Sequence, residues 1–257
     1  MITKKDLNKY NNFVFISTLK KIVGIKIKDF VSLEELINIE RQKKTIYNNS
    51  ISFLSGKKES NNILLWGSKG MGKSSLILSN NEFINKNNDK KLKLLEIFST
   101  DIKYLPEIIF SLKKINEKFI IYIDDITMNT DNDDFKTFKI SVQGSLLSYN
   151  KNIRFYVTSN IRNIVQLPAD KDLSDLYIKD QRNNAIALYD RFGIILSFHQ
   201  SNKEHYLNFI NFYARKYKVK KNQKELEKLA MQWSIEKGDF SARTAKQFII
   251  NFLTDLF

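Results

Sequence analysis

The feature that most constrains the fold of this chain is an apolar segment that runs into a glycine-rich loop and then into a helical pattern. Residues 63–66 are apolar, and residues 67–74 read Gly-Ser-Lys-Gly-Met-Gly-Lys-Ser. Apolar residues at helical spacing follow, beginning with Leu76 and Ile77. A G-x-x-x-x-G-K-S loop between a strand and a helix is the context in which such a loop binds phosphate. The sequence therefore predicts a buried strand, a phosphate-binding loop and a helix.

The loop residues suit the phosphates of a nucleotide. Glycine lets the loop curl so that successive backbone N–H groups point at one phosphate, and the following helix adds the positive end of its dipole. Lys73 can reach the β- and γ-phosphates, and the Ser74 hydroxyl can bind Mg²⁺. The residues that we expect to bind the cofactor are consecutive: Gly67, Ser68, Lys69, Gly70, Met71, Gly72, Lys73, Ser74 and Ser75.

Two carboxylates follow a second apolar run, at residues 119–123. We expect Asp124 to hold Mg²⁺, usually through water, from across the loop. Asp125 could orient or deprotonate an attacking water. The alternative is a pair of solvated loop acids, but a position about 50 residues after Lys73 favours the functional interpretation.

A polar cluster, Thr158-Ser159-Asn160, follows a third apolar run at residues 154–157. Ligands bind outside the carboxyl ends of the strands in open parallel sheets. Asn160 could therefore form a hydrogen bond with the γ-phosphate or with the attacking water. The alternative is a simple turn after a strand.

Composition excludes several kinds of chemistry. The chain has no cysteine, which rules out disulfides, thiolate catalysis and cysteine-bound zinc. Its two histidines, His199 and His205, are six residues apart, which is not the spacing of a helical metal pair. No apolar run approaches the roughly 20 residues that a membrane crossing needs, and the first residues do not resemble a signal peptide. We therefore expect a cytoplasmic protein that is not inserted in a membrane.

A net charge of +14 makes nucleic acid a possible partner. The excess is +6 in residues 1–60, +3 in residues 61–202 and +5 in residues 203–257. Lysine supplies 35 of the 42 basic residues, and a chain rich in Lys, Asn and Ile is also what AT-rich coding produces. The densest cluster comprises Arg215, Lys216, Lys218, Lys220 and Lys221, interleaved with Tyr213 and Tyr217. A solvated helix end, where the dipole favours basic residues, is the alternative to a nucleic-acid surface.

Strand-like and helical patterns alternate through the middle of the chain. The strand-like runs are residues 63–66, 92–97, 119–123, 153–158 and 193–198, and helical patterns such as 101–115 and 134–147 separate them. This alternation predicts an α/β fold with a parallel five-stranded sheet and helices on both faces. Amphipathic stretches at residues 203–217, 223–237 and 241–256 predict a small helical unit at the C-terminal end, which the resemblance described below identifies as a lid.

The remaining segments flank or interrupt this core. Residues 4–55 read as helical with a break around residues 24–29, and Ser32 and Glu35 form a capping-box pattern that should open the second helix. Residues 166–179, which include Pro168, look like a surface excursion. The predicted units are an N-terminal helical extension (1–35), a nucleotide-binding core (36–200) and a helical lid (201–257).

The ordered set of motifs resembles AAA+ ATPases, and more narrowly a bacterial ATP-binding family known as domain of unknown function 815. The words that carry the resemblance are, in chain order, Leu64-Leu65-Trp66-Gly67, Gly72-Lys73-Ser74-Ser75-Leu76, Ile123-Asp124-Asp125, Thr158-Ser159-Asn160, Asp190-Arg191-Phe192-Gly193, Ser241-Ala242-Arg243 and Lys246-Gln247-Phe248. The resemblance extends from about Leu36 to the C-terminus, and the first 35 residues match nothing in the pattern.

The resemblance implies a protein that binds ATP and Mg²⁺ and assembles into a homo-oligomer. It puts Asn160 at sensor 1, Arg243 at sensor 2 and Arg191 at the arginine finger, which acts on the nucleotide of a neighbouring subunit. With Asp125, these are the expected catalytic residues. Either arginine could instead be an ordinary surface or salt-bridged side chain. Because the chain has only seven arginines, arginine at both positions favours a planar, permanently charged group for phosphate.

Two departures from the family pattern concern the site. Most AAA+ enzymes have Glu where this chain has Asp125, and the shorter acid could weaken hydrolysis. An Ile-Gly-x-Glu-x-Gln turn is expected at residues 37–42, and Asn38 takes the place of its glycine. This segment would approach the adenine.

Two function classes follow from the resemblance. One is an ATPase motor or remodeller that acts on a macromolecular client at subunit interfaces. The other is a nucleotide-switched DNA-binding module akin to replication initiators and helicase loaders. A small-molecule kinase fits the three-helix lid and the Arg-Phe-Gly word poorly.

Overall fold

The computed structural model describes residues 2–56, 59–142, 151–166 and 175–254. Strands in those residues are β1 (Asn12–Ile16), β2 (Lys21–Ile25), β3 (Ile63–Gly67), β4 (Leu92–Glu96), β5 (Lys118–Ile123), β6 (Met128–Asn129), β7 (Ile153–Ser159), β8 (Val165–Gln166) and β9 (Ile194–Phe198). Helices are α1 (Lys4–Lys9), α2 (Glu40–Ser55), α3 (Lys73–Asn87), α4 (Leu105–Leu112), α5 (Asp133–Val142), α6 (Asp175–Tyr189), α7 (Lys203–Lys216), α8 (Gln223–Lys237) and α9 (Ala242–Leu253).

The main sheet has the strand order β2-β1-β4-β5-β7-β3-β9. All five predicted strands are present, as β3, β4, β5, β7 and β9, and they pair in parallel. The prediction of an α/β fold with a parallel sheet is therefore confirmed. The predicted number of strands is wrong, because the sheet has seven strands and not five. Strands β6 and β8 form a separate parallel pair.

The two additional strands come from the N-terminal segment that the sequence pattern assigned to a helix. Strands β1 and β2 form an antiparallel hairpin, and β1 also pairs in parallel with β4. Phe13 and Phe15 alternate with Val14 along β1, and both phenylalanines are buried. This period-2 alternation is the signature of a half-buried strand, and it was missed because it covers only a few residues.

Helices cover both faces of the sheet, and the side chains of β5 alternate between the two cores. Phe119, Ile121 and Ile123 pack with side chains of α4, α5 and α6. Ile120 and Tyr122 lie in the other core, which includes side chains of α2, α3 and the three C-terminal helices. The last three predicted helices are present as α7, α8 and α9.

Other boundaries differ from the sequence prediction. The capping box at Ser32 and Glu35 is present, but it opens a 3-10 helix, Leu33–Glu35, and α2 begins only at Glu40. The predicted surface excursion at residues 166–179 is wrong at its end, because α6 begins at Asp175. The end of the helix predicted at residues 134–147 (residues 143–147) lies outside the described residues, and so do residues 167–174 of the predicted excursion.

A buried lysine joins the hairpin to the central sheet. Lys93, on β4, is only 3% exposed. Its Nζ donates to the carbonyl oxygens of Leu7 at 2.7 Å and Tyr10 at 2.9 Å, and to Asn11 Oδ1 at 2.8 Å. Burial lowers the pKa of Lys93. The ammonium therefore holds the end of α1 and the start of β1 against β4.

We expect Lys93→Met to lower the free energy of unfolding by about 2–4 kcal/mol, because it keeps the aliphatic stem but leaves buried carbonyl groups unpaired. Chemical denaturation measures this loss. The exposed Lys86→Met is the matched control and should change stability little. An unchanged denaturation midpoint for Lys93→Met would show that the contacts around Nζ contribute nothing to stability.

Candidate nucleotide-binding site

The glycine-rich loop is held at the carboxyl end of the sheet. Ser68 N donates to the Phe198 carbonyl oxygen at 2.8 Å, which ties the start of the loop to the end of β9. Gly67 has a φ of +131°, and a Cβ at this position would lie 2.0 Å from the same oxygen. Only glycine fits there, so β9 fixes where the loop leaves β3.

The loop also contacts the first turn of the last lid helix. Gly70 has a φ of +74°, and a Cβ there would lie 2.5 Å from Ser241 Oγ. Arg243 N donates to the Gly70 carbonyl oxygen at 3.3 Å. Ser241 is the N-cap of α9 and accepts a hydrogen bond from Thr244 N. The position of the lid is thereby linked to the position of the loop.

Lys73 lies inside the loop and is only 7% exposed. Its Nζ donates to the carbonyl oxygens of Gly67 at 2.6 Å and Ser68 at 2.9 Å, and to Asn160 Oδ1 at 3.1 Å. Burial lowers the pKa of Lys73, while the charges of Asp125 and Asp124 act in the opposite direction. The ammonium is thus held by uncharged oxygens in a partly desolvated place, where an added anion would stabilise its charge.

The two residues predicted to bind Mg²⁺ contact each other. Asp124 Oδ1 accepts hydrogen bonds from Ser74 Oγ at 2.7 Å and from Thr158 Oγ1 at 2.5 Å. Thr158 Oγ1 also accepts from Asp125 N at 2.9 Å. The Thr158 hydroxyl therefore positions both acids, a role that the sequence analysis did not assign. The available signal was a hydroxyl at the end of an apolar strand.

Two titratable side chains close to Asp124, Glu96 and Tyr122, have raised pKa values. Burial raises the pKa of Glu96, at the end of β4, and the Asp124 charge raises it further. Burial and the same charge also raise the pKa of Tyr122. A cation between Ser74 and Asp124 would relieve this concentration of negative charge.

Asn160 connects the lysine to the second acid. Its Oδ1 accepts from Lys73, and its Nδ2 donates to Asp125 Oδ1. The orientation of the amide is determined, because an ammonium can only donate and a carboxylate can only accept. Asp125 has a left-handed backbone, with a φ of +50°, which Asp tolerates better than most residues. The three side chains form a row along one edge of the sheet.

A cavity of about 410 Å³ opens beside this row, within the range of small-molecule sites. Four cationic side chains line it, against two carboxylates: Lys69, Lys73, Arg243 and Lys246 against Asp124 and Asp125. Five apolar or aromatic residues from segments far apart in the chain also line it: Val31, Leu36, Met71, Tyr213 and Ala242. Apart from Met71, none of these apolar and aromatic residues was predicted to belong to the site, and neither was Lys246.

The two candidate arginines lie in different places. Arg243 lines the cavity, which lies at the carboxyl ends of the strands. Arg191 precedes β9 and therefore lies at the amino ends of the strands. The five residues of β9 alone separate these two ends of the sheet by about 16 Å at 3.3 Å per residue. Both side chains are exposed, and among the described residues no group forms a hydrogen bond or ion pair with either guanidinium. The structure thus brings Arg243, but not Arg191, to the cavity of its own chain.

The departure at Asn38 has a structural explanation. Asn38 has a φ of +64°, in the left-handed region that favours glycine. Asn is among the residues other than glycine that adopt this conformation most readily. The turn before α2 is therefore kept without the glycine that the family pattern led us to expect.

The donor groups fit Mg²⁺ better than a metal that needs a full set of protein ligands. Within the described residues, no group of three or more His, Cys, Asp and Glu side chains is arranged to hold a metal. Ser74 and Asp124 supply two oxygens, and Mg²⁺ commonly keeps several waters and takes the rest from substrate phosphates. Ser74 and Asp124 are the residues that would hold the ion.

Solved structures with the same architecture are AAA+ P-loop ATPases. A RuvB structure from Thermotoga maritima matches with a TM-score of 0.57 and 16% identity, over 84% of this chain and 62% of that one. Another, described as the RuvB Holliday junction branch migration motor, has a TM-score of 0.53 and 16% identity over the same shares. Cdc6p from Pyrobaculum aerophilum matches with a TM-score of 0.57 and 12% identity, over 82% and 60%. The chain thus spans about three-fifths of these proteins.

In fold, this protein is similar to AAA+ P-loop ATPases. The chain belongs to the family described as protein of unknown function DUF815, whose sequence profile matches residues 8–256. That match includes the hairpin of β1 and β2, which the first resemblance left out. A comparison with curated protein sequences finds no match. Among the described residues, no helix combines the length and apolar composition that a membrane crossing requires.

Proposed function

We propose that this protein binds ATP with Mg²⁺ in the cavity beside the loop and hydrolyses it slowly at an interface between identical subunits. The observation that carries the proposal is the row Lys73, Asn160 and Asp125, in which one amide contacts the phosphate-loop lysine and the second acid. A γ-phosphate beside Lys73 would lie next to the two side chains that could position an attacking water.

The charge of the cavity supports a triphosphate. Its four cations exceed its two carboxylates by two, which matches the approximately two negative charges of Mg·ATP. The Arg243 guanidinium, at the lid end, has no partner among the described residues and could form a bidentate contact with phosphate oxygens. The apolar and aromatic lining residues, which include Val31, Leu36 and Tyr213, could contact the base.

The attacking water would form a bond to the γ-phosphorus and give its proton to Asp125, while the bond from the γ-phosphorus to the bridging oxygen breaks and ADP leaves. Bound Mg²⁺ would supply charge stabilisation at the β- and γ-oxygens. Asp is one methylene shorter than the Glu of most AAA+ enzymes, so Asp125 would reach the water less closely. Slow turnover is the expected consequence.

Separate replacement of the two acids tests this division of roles. Asp125→Asn should bind Mg·ATP with nearly wild-type affinity and hydrolyse it about 10²–10⁴-fold more slowly, because an amide cannot accept the proton. Asp124→Asn should also lose Mg²⁺-dependent affinity. Calorimetric titration with and without Mg²⁺, together with single-turnover hydrolysis, measures both. Two indistinguishable variants would contradict the assignment.

The client of such an ATPase would be a macromolecule. The second candidate function is a nucleotide-switched module that binds DNA. The net charge of +14 favours DNA, and a structural neighbour is described as a branch migration motor. However, in the basic cluster at the end of α7, Lys216 pairs with Glu35 and Lys221 pairs with Glu225. These ion pairs lower the charge available to phosphates.

We therefore expect turnover to be the same with and without single- or double-stranded DNA, measured from 50 to 200 mM salt. Stimulation that falls steeply across this range would support the nucleotide-switched DNA-binding module instead, since contacts with phosphates weaken strongly with salt. Arg215→Ala, in the cluster but outside both ion pairs, should then weaken the stimulation.

A further inference from the structure

The backbone of Arg191 is held from outside its own helix. Arg191 lies just beyond the end of α6, where its N–H donates to the Leu188 carbonyl oxygen at 3.1 Å. Asn62 Nδ2 donates to the carbonyl oxygen of Arg191 at 3.1 Å and so satisfies this group.

The oxygen of the Asn62 side-chain amide forms a hydrogen bond with the central sheet. Asn62 Oδ1 accepts from Phe155 N, in β7, at 2.9 Å. The Asn62 carbonyl oxygen accepts from Ile194 N, the first residue of β9, at 3.4 Å. Because the Phe155 N–H must donate and the Arg191 carbonyl must accept, the orientation of the amide is determined. Asn62 directly precedes β3, so it joins Arg191 to the strand that ends in the phosphate loop.

The residues after Arg191 have little freedom. Phe192 is 4% exposed, and its ring stacks on Phe138 with centroids 6.4 Å apart. A Cβ on Gly193 would lie 2.4 Å from Asn61 Oδ1, which leaves no room for a side chain. An exposed guanidinium on a firmly placed backbone is suited to act on a group that another molecule brings.

We propose that Asn62 is a positioning residue for Arg191, and that its side-chain amide places the guanidinium to act on the nucleotide of a neighbouring subunit. This inference rests on the proposed function. Misplacement of a reacting group by about 1 Å can cost up to about 10²-fold in rate, so loss of the Asn62 contact should slow turnover without weakening ATP binding.

Asn62→Asp tests the inference, because the carboxylate still accepts from Phe155 N but cannot donate to the Arg191 carbonyl. We expect a turnover about 10–100-fold below wild type, with an unchanged Kd for ATP. Asn87→Asp makes the same change at an exposed asparagine whose Nδ2 also donates to a backbone carbonyl, that of Phe83, and should keep the wild-type rate. If Asn62→Asp folds poorly, Asn62→Ser serves instead, since its hydroxyl is too short to bridge both groups.

Two further measurements separate positioning from a general structural role. Mixing Asn62→Asp with Lys73→Ala should restore part of the turnover, because the second variant supplies a correctly placed Arg191. Adding Asn62→Asp to Arg191→Ala should cause no additional loss. A raised Kd, no restoration on mixing, or an additive loss in the double variant would overturn the inference. If Arg191→Ala is slow while Asn62→Asp has the wild-type rate, this inference fails and the proposed function stands. If Arg191→Ala has the wild-type rate, the proposed function itself fails.

Discussion

Lys73→Ala is expected to weaken ATP binding about 100-fold or more, which corresponds to about 2.7 kcal/mol, while the protein remains folded. Among the described residues that line the cavity, Lys73 carries the one buried ammonium, and the substitution removes it. It also removes a buried aliphatic stem and leaves the carbonyl groups of Gly67 and Ser68 without this donor, so a moderate loss of stability is expected, while the Ser68 N–H still donates to the Phe198 carbonyl oxygen. Titration calorimetry with Mg·ATP measures the affinity, and thermal unfolding shows whether the fold survives.

Lys93→Met is the matched control, because Lys93 is also buried and also held by carbonyl groups. We expect lower stability but unchanged ATP affinity from it, so lost stability by itself would not explain a loss of affinity in Lys73→Ala. If Lys73→Ala binds and hydrolyses ATP normally, the assignment of residues 67–75 to a nucleotide would be wrong.

Arg191→Ala is expected to bind ATP normally and to lose about 10³–10⁵-fold in turnover, the range for an arginine that neutralises charge on the γ-phosphoryl group. The physical reason is that Arg191 lies at the amino ends of the strands, whereas the cavity of its own chain lies at their carboxyl ends. Such a side chain can act only when a second subunit is docked. Wild-type turnover should therefore rise more than linearly with protein concentration, whereas the variant stays slow at every concentration.

Mixing Arg191→Ala with Lys73→Ala provides the decisive measurement. At mixed interfaces one subunit carries an intact cavity and the other carries the arginine, so part of the activity should return. Turnover that is strictly proportional to concentration, or that does not change in Arg191→Ala, would identify Arg191 as an ordinary surface residue. The protein would then be better described as a monomeric nucleotide switch.

The central strands and the row of site residues could be predicted because each is encoded locally. An apolar run of buried strand followed by Gly, Asp or Asn can be recognised without knowledge of its neighbours. Parallel pairing then brings the carboxyl ends of β3, β5 and β7 to one edge. The short hairpin at the sheet edge was missed because the alternation in β1 extends over only a few residues.

Other features could not be predicted because they exist only after distant segments meet. Val31, Leu36 and Tyr213 line the same cavity although they lie far apart in the chain. The bond from Asn62 to Arg191 spans 129 residues, and a single asparagine before a strand has no recognisable pattern. The contact of Gly70 with α9 likewise depends on how the lid packs.

The position of β3 within the sheet has a consequence for how the chain folds during synthesis. Its two neighbours are β7 and β9, whose first paired residues come about 90 and about 130 residues later than Ile63. Pairings this far apart in the chain form slowly. The strand that leads into the glycine-rich loop must therefore wait, without a partner, until most of the polypeptide has left the ribosome. Until Phe198 arrives to accept the Ser68 N–H, a nucleotide has no finished place to bind and cannot guide the earlier steps of folding.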